Sequence, residues 1–352
     1  MLNYLLKRLL YGVPVLLMVT TLVSSIIYVS NVDAAELTFG QRLDSASLAL
    51  KRQELHLDAP LYRQVGYYLA DVSPIATVTL DERARENYRY IPLFGTGENR
   101  ALVLKRPYLG RSYQSNRRVW DILAETVPRT AVLALLAILI ATGIGIVLGV
   151  VAALRRDSWV DHLAVVLSVL GYSLPSYVAA MILALIFAYY LGDATGLELS
   201  GGLVGINDFG DDEIRWRNVI LPALALGIRP VGIVTQLTRS SMLDVLRQDY
   251  IRTATAKGLR WRTTVVRHAL RNALNPVLTA VTGWFAALLA GAFFVEKVFN
   301  YDGLGMATIT ALQTFDIPVV LGAVLFVAAV FVTVNIVVDL LYAVLDPRVR
   351  LR

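Results

Sequence analysis

Cysteine is absent from the 352 residues, which excludes a disulfide, a thiolate metal site and a thiol nucleophile. Histidine is almost absent. His56, His162 and His268 stand far apart and read as surface or interface residues rather than metal ligands. Neither a His-Glu-x-x-His nor a paired carboxylate inside an apolar run occurs, which argues against a membrane-embedded enzyme. Low-complexity segments and convincing internal repeats are missing too. The net charge of +6 is not gathered into one patch, so it does not indicate nucleic acid; much of it flanks apolar spans.

What the chain has in quantity is apolar side chain. Hydrophobic residues make up 56% and the mean hydropathy is +0.59, the composition of an integral membrane protein. Six apolar stretches are long enough to span: Leu9–Val29, Thr130–Ala153, Leu163–Leu191, Val219–Thr238, Val277–Val298 and Pro318–Val344. A cleavable signal peptide is the rival reading of the first, with Val32-Asp33-Ala34 as a loose cleavage site, but the apolar core is too long for one. Lys7, Arg8, Arg155, Arg156 and the Asp346–Arg350 tail put both termini on the cytoplasmic side. The expected fold is an all-α membrane protein with six transmembrane helices. Its parts are residues 1–30 (N-terminus and first helix), 31–118 (a small extracytoplasmic subdomain) and 119–352 (a five-helix core that includes the cytoplasmic loop 239–276).

Within 31–118, Ala46–Leu55 and Tyr62–Leu69 read as helices and Ser73–Tyr113 as short strands. Its 13 Lys/Arg do not oppose an outer location, because long loops escape the charge bias. Val119–Glu125 reads as an amphipathic lead-in, broken near Pro128. Ala141, Gly145, Gly149 and Ala153 make a small-residue face on the second span, and Gly283, Ala287 and Gly291 another on the fifth. Pro175, in Gly171-Tyr172-Ser173-Leu174-Pro175-Ser176, predicts a kink in the third span. The stretch 192–217 is acidic, which suits the outer side.

Between Arg239 and Arg271 stand eight Lys/Arg against two Asp, so this loop belongs in the cytoplasm. The pattern predicts one helix over Leu243–Lys257, a left-handed Gly258, and a second helix over Arg260–Leu274. At 100° per residue Trp261, Val265, Val266, Ala269, Leu270 and Ala273 share one face, with Arg260, Arg267 and Arg271 opposite. An ordinary basic loop would satisfy the charge alone. Arg229 is a separate signal. It lies about mid-way along the fourth span beside Pro230, where an Arg costs ~2.5–3.5 kcal/mol even on a lenient scale. It should therefore face a cavity and line a path with Tyr172, Ser173 and Ser176; a structural Arg bonded to a neighbouring helix is the alternative.

The order Tyr250-x-Arg252-Thr253-Ala254-x-Ala256-Lys257-Gly258-Leu259, followed by Arg267-His268-Ala269-Leu270-Arg271-Asn272-Ala273 and Pro276, resembles the cytoplasmic loop of ABC importer permeases, above all the dipeptide/oligopeptide/nickel group. Four further stretches are similar to that family: Gly110-Arg111-Ser112-Tyr113, Gly171–Tyr177, Glu296-x-Val298-Phe299 with Gly303-Leu304-Gly305, and Asp339–Arg348. Two departures lie outside the membrane. Asn31–Ala35 replaces the family's Pro-rich turn, and 74–106 resembles an insertion.

The resemblance implies a type I ABC importer permease fold in a bacterial inner membrane. It implies that Tyr250, Arg252, Thr253, Ala254, Lys257 and Gly258 couple to an ATPase, with Ala254 and Gly258 packed closest to it. The implied partners are a second homologous permease, two ATPase subunits and an extracytoplasmic solute-binding protein, besides membrane lipid. No Gly-x-x-x-x-Gly-Lys-Ser/Thr occurs, so this chain is expected to be a non-catalytic subunit without a cofactor, ATP and Mg being held by the ATPases. A secondary transporter is the runner-up, since broken helices occur there too.

Overall fold

The computed structural model describes residues 2–29, 58–79, 90–97, 100–207 and 209–345. The expected helix Ala46–Leu55, His56, the Asn31–Ala35 turn and the Asp346–Arg350 tail lie outside them. The chain divides into two compact units, Met1–Glu125 with Ala307–Ala329, and Thr126–Met306 with Val330–Arg352.

The first unit begins with α1 (Leu2–Val29). Two hydroxyls buried along it are satisfied by its own turns: Thr20 Oγ1 donates to the Leu16 carbonyl and Ser24 Oγ to the Thr20 carbonyl, both at 2.6 Å. Next comes α2 (Leu61–Val72), one turn longer than its apolar pattern suggested. Three strands follow, β1 (Ile75–Thr79), β2 (Tyr90–Gly97) and β3 (Arg100–Lys105), in the antiparallel order β1-β3-β2. Alternation along β3 buries Ala101 and Val103 against Val78 and exposes Leu104. Lys105 reaches back to the Asp71 carbonyl at 2.9 Å; burial lowers its pKa, with the Asp71 carboxylate acting the other way. The Gly110–Tyr113 motif folds as a turn around a residue that the sequence did not single out. Asp316 accepts from Ser112 Oγ at 2.5 Å and from the Tyr113 backbone N–H at 2.9 Å.

In the second unit the helices are α3 (Val119–Leu154, from Thr126 onward), α4 (Trp159–Ser173), α5 (Ser176–Leu183, continued in a π-helical stretch Ala184–Tyr190), α6 (Arg217–Leu246), α7 (Asp249–Ala256), α8 (Arg271–Gly291) and α9 (Phe293–Phe299). A short hairpin, β4 (Val204–Ile206) with β5 (Asp212–Ile214), lies in the acidic stretch, so the chain is mostly helical but not all-α. Two further helices are α10 (Leu304–Gln313) and α11 (Ile317–Leu345).

Four helices are long and apolar enough to cross a membrane: Val119–Leu154, Arg217–Leu246, Trp261–Leu289 and Ile317–Val337. The pair Trp159–Ser173 and Ser176–Tyr190 makes a fifth if it counts as one span. The apolar part of α1, Leu10–Ile26, is shorter.

Three expectations are corrected. No break occurs near Pro128, because a proline removes one donor and α3 continues through it. The fifth span stops at Gly291, and α9 starts anew after Ala292. The third span is not merely kinked: its halves meet at 107°. Pro175 forces Leu174 out of the helical region, to ψ 128, and is itself extended at ψ 136, so α4 ends and a new helix begins.

The core of this unit is built on close approach to α6. Gly145 and Gly149 of α3 sit against Val234 and Thr238, so the small-residue face read from the sequence is used in packing. The corresponding face of α8 is not used in this way: nothing lies within 4 Å of a side chain built at Gly283, and Ala287 is exposed. On α6 itself, a methyl at Gly232 would run into the Ser168 carbonyl of α4. Gly232→Ala must therefore separate two backbones, at a cost of about 1–3 kcal/mol. A lower Tm of the purified chain is the expected result; an unchanged Tm would show slack at this crossing.

Candidate functional site

The basic loop places its residues in a definite order. Gln248 is extended (φ −70, ψ 149), so the expected helix Leu243–Lys257 is interrupted after Leu246 and restarts as α7. Geometry explains the break. Met242 and Ile251 both enter one apolar cluster with Ala153, Val265, Ala269 and Ala273. Nine residues apart, they would lie on opposite faces of a continuous helix, about 180° apart at ~100° per residue. The break lets both point inward.

The end of α7 is a Schellman cap. Gly258 is left-handed at φ +80, its N–H bonds the Thr255 carbonyl at 3.0 Å, and the Leu259 N–H bonds the Ala254 carbonyl at 3.3 Å. Ile251 and Ala254 face inward and are buried by the chain itself. Ala254 is thus the inward member among the residues expected at the coupling surface. Tyr250, Arg252, Thr253, Lys257 and Gly258 are exposed. The Tyr250 hydroxyl accepts from Asn272 Nδ2 at 2.8 Å and so ties α7 to the first turn of α8.

The helix after Gly258 does not stop at Leu274. Trp261–Leu289 is continuous, through a π-helical stretch at Thr264–Leu270. Bonding to the fifth rather than the fourth residue turns the helix less per residue. Val265, Ala269 and Ala273 stay on the covered side, but Val266 and Trp261 leave the expected face and are exposed, while Arg267 and Arg271 point outward.

A second cluster lies along the middle of α6. Gly232 packs against Ser168 and Gly171 against Ile228, so the last turn of α4, just before the break at Leu174–Pro175, runs beside Arg229. The Arg229 guanidinium carbon is 5.7 Å from the centre of the Tyr172 ring and 5.9 Å from that of Trp284, within cation–π range of both. Its Nε is buried and has no hydrogen-bond partner among the described residues. Arg229 and Tyr172 are thus brought together, Ser173 is exposed and Ser176 half-buried at the break, and Trp284 is an addition. Its only signal in the sequence is a Trp well inside an apolar run.

Two polar ties escaped sequence reading. Asp161 accepts from Arg239 Nε at 2.5 Å and Nη2 at 2.7 Å, a bidentate pair between the start of α4 and the basic end of α6. Glu296, fully buried, accepts from Thr130 Oγ1 at 2.7 Å and from the Met306 N–H at 2.9 Å. Nearby, Arg129 pairs with Asp302 and accepts from the Tyr301 hydroxyl on its carbonyl. Among the described residues no group of three or more His, Asp or Glu could hold a metal ion.

Comparison with known proteins joins these features. Residues 145–351 match the family described as binding-protein-dependent transport system inner membrane component, and residues 1–82 match the N-terminal part of such membrane components. The glutathione transport system permease protein GsiC of Salmonella typhimurium is 35% identical over 350 residues, 99% of each chain. Its Escherichia coli counterpart is 33% identical over 350 residues, again 99% of each. A solved amino acid ABC transporter chain is 16% identical, with a TM-score of 0.43 over 65% of this chain and 95% of its own.

Proposed function

The chain belongs to the family of binding-protein-dependent transport system inner membrane components, and on that premise we propose that it pairs with a second permease to form the path by which peptides, glutathione among them, are imported. It is a membrane-embedded permease subunit of an ABC importer; family membership sets aside the secondary transporter. In the proposed assembly it spans the membrane six times with both termini in the cytoplasm. Two ATPase subunits hold ATP and Mg, and a solute-binding protein docks outside, where residues 31–118 help to receive it. The exposed Gly283–Ala287 face of α8 is left for the second permease.

The observation that carries the coupling part of this reading is α7. One face, with Tyr250, Arg252, Thr253, Lys257 and Gly258, is free, and the other is fastened to α6 and α8 through Met242, Ile251 and Asn272. An ATPase gripping the free face would move the spans. The two states of the bundle would then be biased by what binds each end. The test is affinity purification of the tagged chain from native membranes, with glutathione uptake measured in cells with and without it. An associated ATPase activity and uptake that depends on the chain are expected. Purification without any ATPase would sink the reading.

A further inference from the structure

We propose that Arg229, Tyr172 and Trp284 form a carboxylate-binding site in the translocation path, which holds the free carboxylate of a peptide in transit. This rests on the importer reading and narrows it to a class of cargo.

Arg229 stands near the middle of a helix long enough to span, where a charged side chain needs a partner or a wet cavity. A structural Arg at this depth would bond a carboxylate or a backbone carbonyl. Neither is present: no ion pair among the described residues includes Arg229, and its buried Nε is unbonded. The two rings shield the cation electrostatically but are poor acceptors for its in-plane N–H groups, so the planar fork remains unfilled.

The geometry of the guanidinium suits one ligand chemistry. A single guanidinium balances a single negative charge, and its parallel N–H groups match the two oxygens of a carboxylate. A phosphate dianion would leave net charge in a poorly hydrated place. Access is provided by the break beside it. Tyr172 is 49% exposed and stands two residues before the non-helical backbone at Leu174–Pro175. Irregular backbone at membrane depth is tolerated where it lines a water-filled cavity or is buried in protein.

The test uses the full transporter reconstituted in vesicles, with alanyl-alanine and its C-terminal amide as probes. The measured quantity is the ratio of their uptake rates in wild type, Arg229→Gln and Arg229→Lys. Any preference of the binding protein is common to all three and cancels when these ratios are compared. The ratio of acid to amide is expected to fall about tenfold in Arg229→Gln, through loss of acid uptake with amide uptake kept. Arg229→Lys, which keeps the charge and loses the fork, should fall about threefold. A wild-type ratio in Arg229→Gln overturns the proposal, as it would if Arg229 merely paired with a carboxylate of the second permease. If Arg229→Gln imports neither probe, the decision passes to Arg229→Lys, where an unchanged ratio overturns it. Failure of the wild-type complex to import either probe would instead count against the importer reading.

Discussion

Gly258→Val is expected to abolish uptake while leaving the complex assembled. Gly258 has φ +80, a region that a β-branched residue enters only with strain, typically ~1–2 kcal/mol or more. A side chain there meets no steric obstacle, since nothing lies within 4 Å of a Cβ built on it. The damage is therefore confined to the backbone. Releasing the strain means undoing the cap, and with it the bonds from Gly258 to the Thr255 carbonyl and from Leu259 to the Ala254 carbonyl. The exposed end of α7, where Lys257 sits, then loses its fixed direction. Two controls separate this from a general defect. Gly258→Asn tolerates the left-handed region and should keep most activity, and Gly258→Ala should fall between. The readouts are uptake and ATPase activity stimulated by loaded binding protein. Normal stimulation in Gly258→Val would rule out the coupling role, and equal loss in Gly258→Asn would show that the site needs the bare glycine surface rather than the left-handed backbone.

The cap was legible because its signal is local: a cation and then Gly after a short helix former run. The start of α7 was not. Nothing between Leu243 and Lys257 breaks a helix, and the interruption at Gln248 exists so that Met242 and Ile251 can share a core. Similarly, Pro175 announced a break, but not that two successive extended residues, Leu174 and Pro175, would turn it into a 107° angle between α4 and α5. Gly145 and Gly149 were read correctly as a packing face; the same spacing at Gly283 and Ala287 gives an open one, because spacing reports small residues and not what covers them. Arg229 stood out by its cost in an apolar run, yet its aromatic neighbours are 57 and 55 residues away, at Tyr172 and Trp284. Polar ties across such distances, Asp161 with Arg239 or Ser112 with Asp316, leave no periodic trace.

Glu296→Ala is expected to prevent stable accumulation of the chain. Glu296 is fully buried and joins three segments. Its Oε1 accepts from Thr130 at 2.7 Å and its Oε2 from the Met306 N–H at 2.9 Å. Thr130 Oγ1 in turn accepts from the Leu304 N–H at 2.8 Å, and the Tyr301 N–H bonds the Glu296 carbonyl at 2.8 Å. The Gly303-Leu304-Gly305 sequence is what lets the loop close on the carboxyl. A Cβ at Gly303 would lie 2.5 Å from Oε2, and one at Gly305 would lie 2.6 Å from the Phe293 Cα. Truncation leaves the Thr130 hydroxyl and the Met306 N–H buried without acceptors, about 1–3 kcal/mol each, and adds an empty volume. The sum, about 2–6 kcal/mol, is comparable with the whole stability of an ordinary domain, roughly 5–15 kcal/mol. Glu296→Gln should rescue much of the loss, because its amide oxygen can still accept from the Met306 N–H while its NH2 donates to the Thr130 hydroxyl, which can accept as well as donate. Thr130→Val, which removes one member of the network, should cost less than Glu296→Ala. Chain level in membranes and Tm in detergent are the measurements. A Glu296→Ala chain with wild-type level and Tm would show that the carboxyl does not hold this loop.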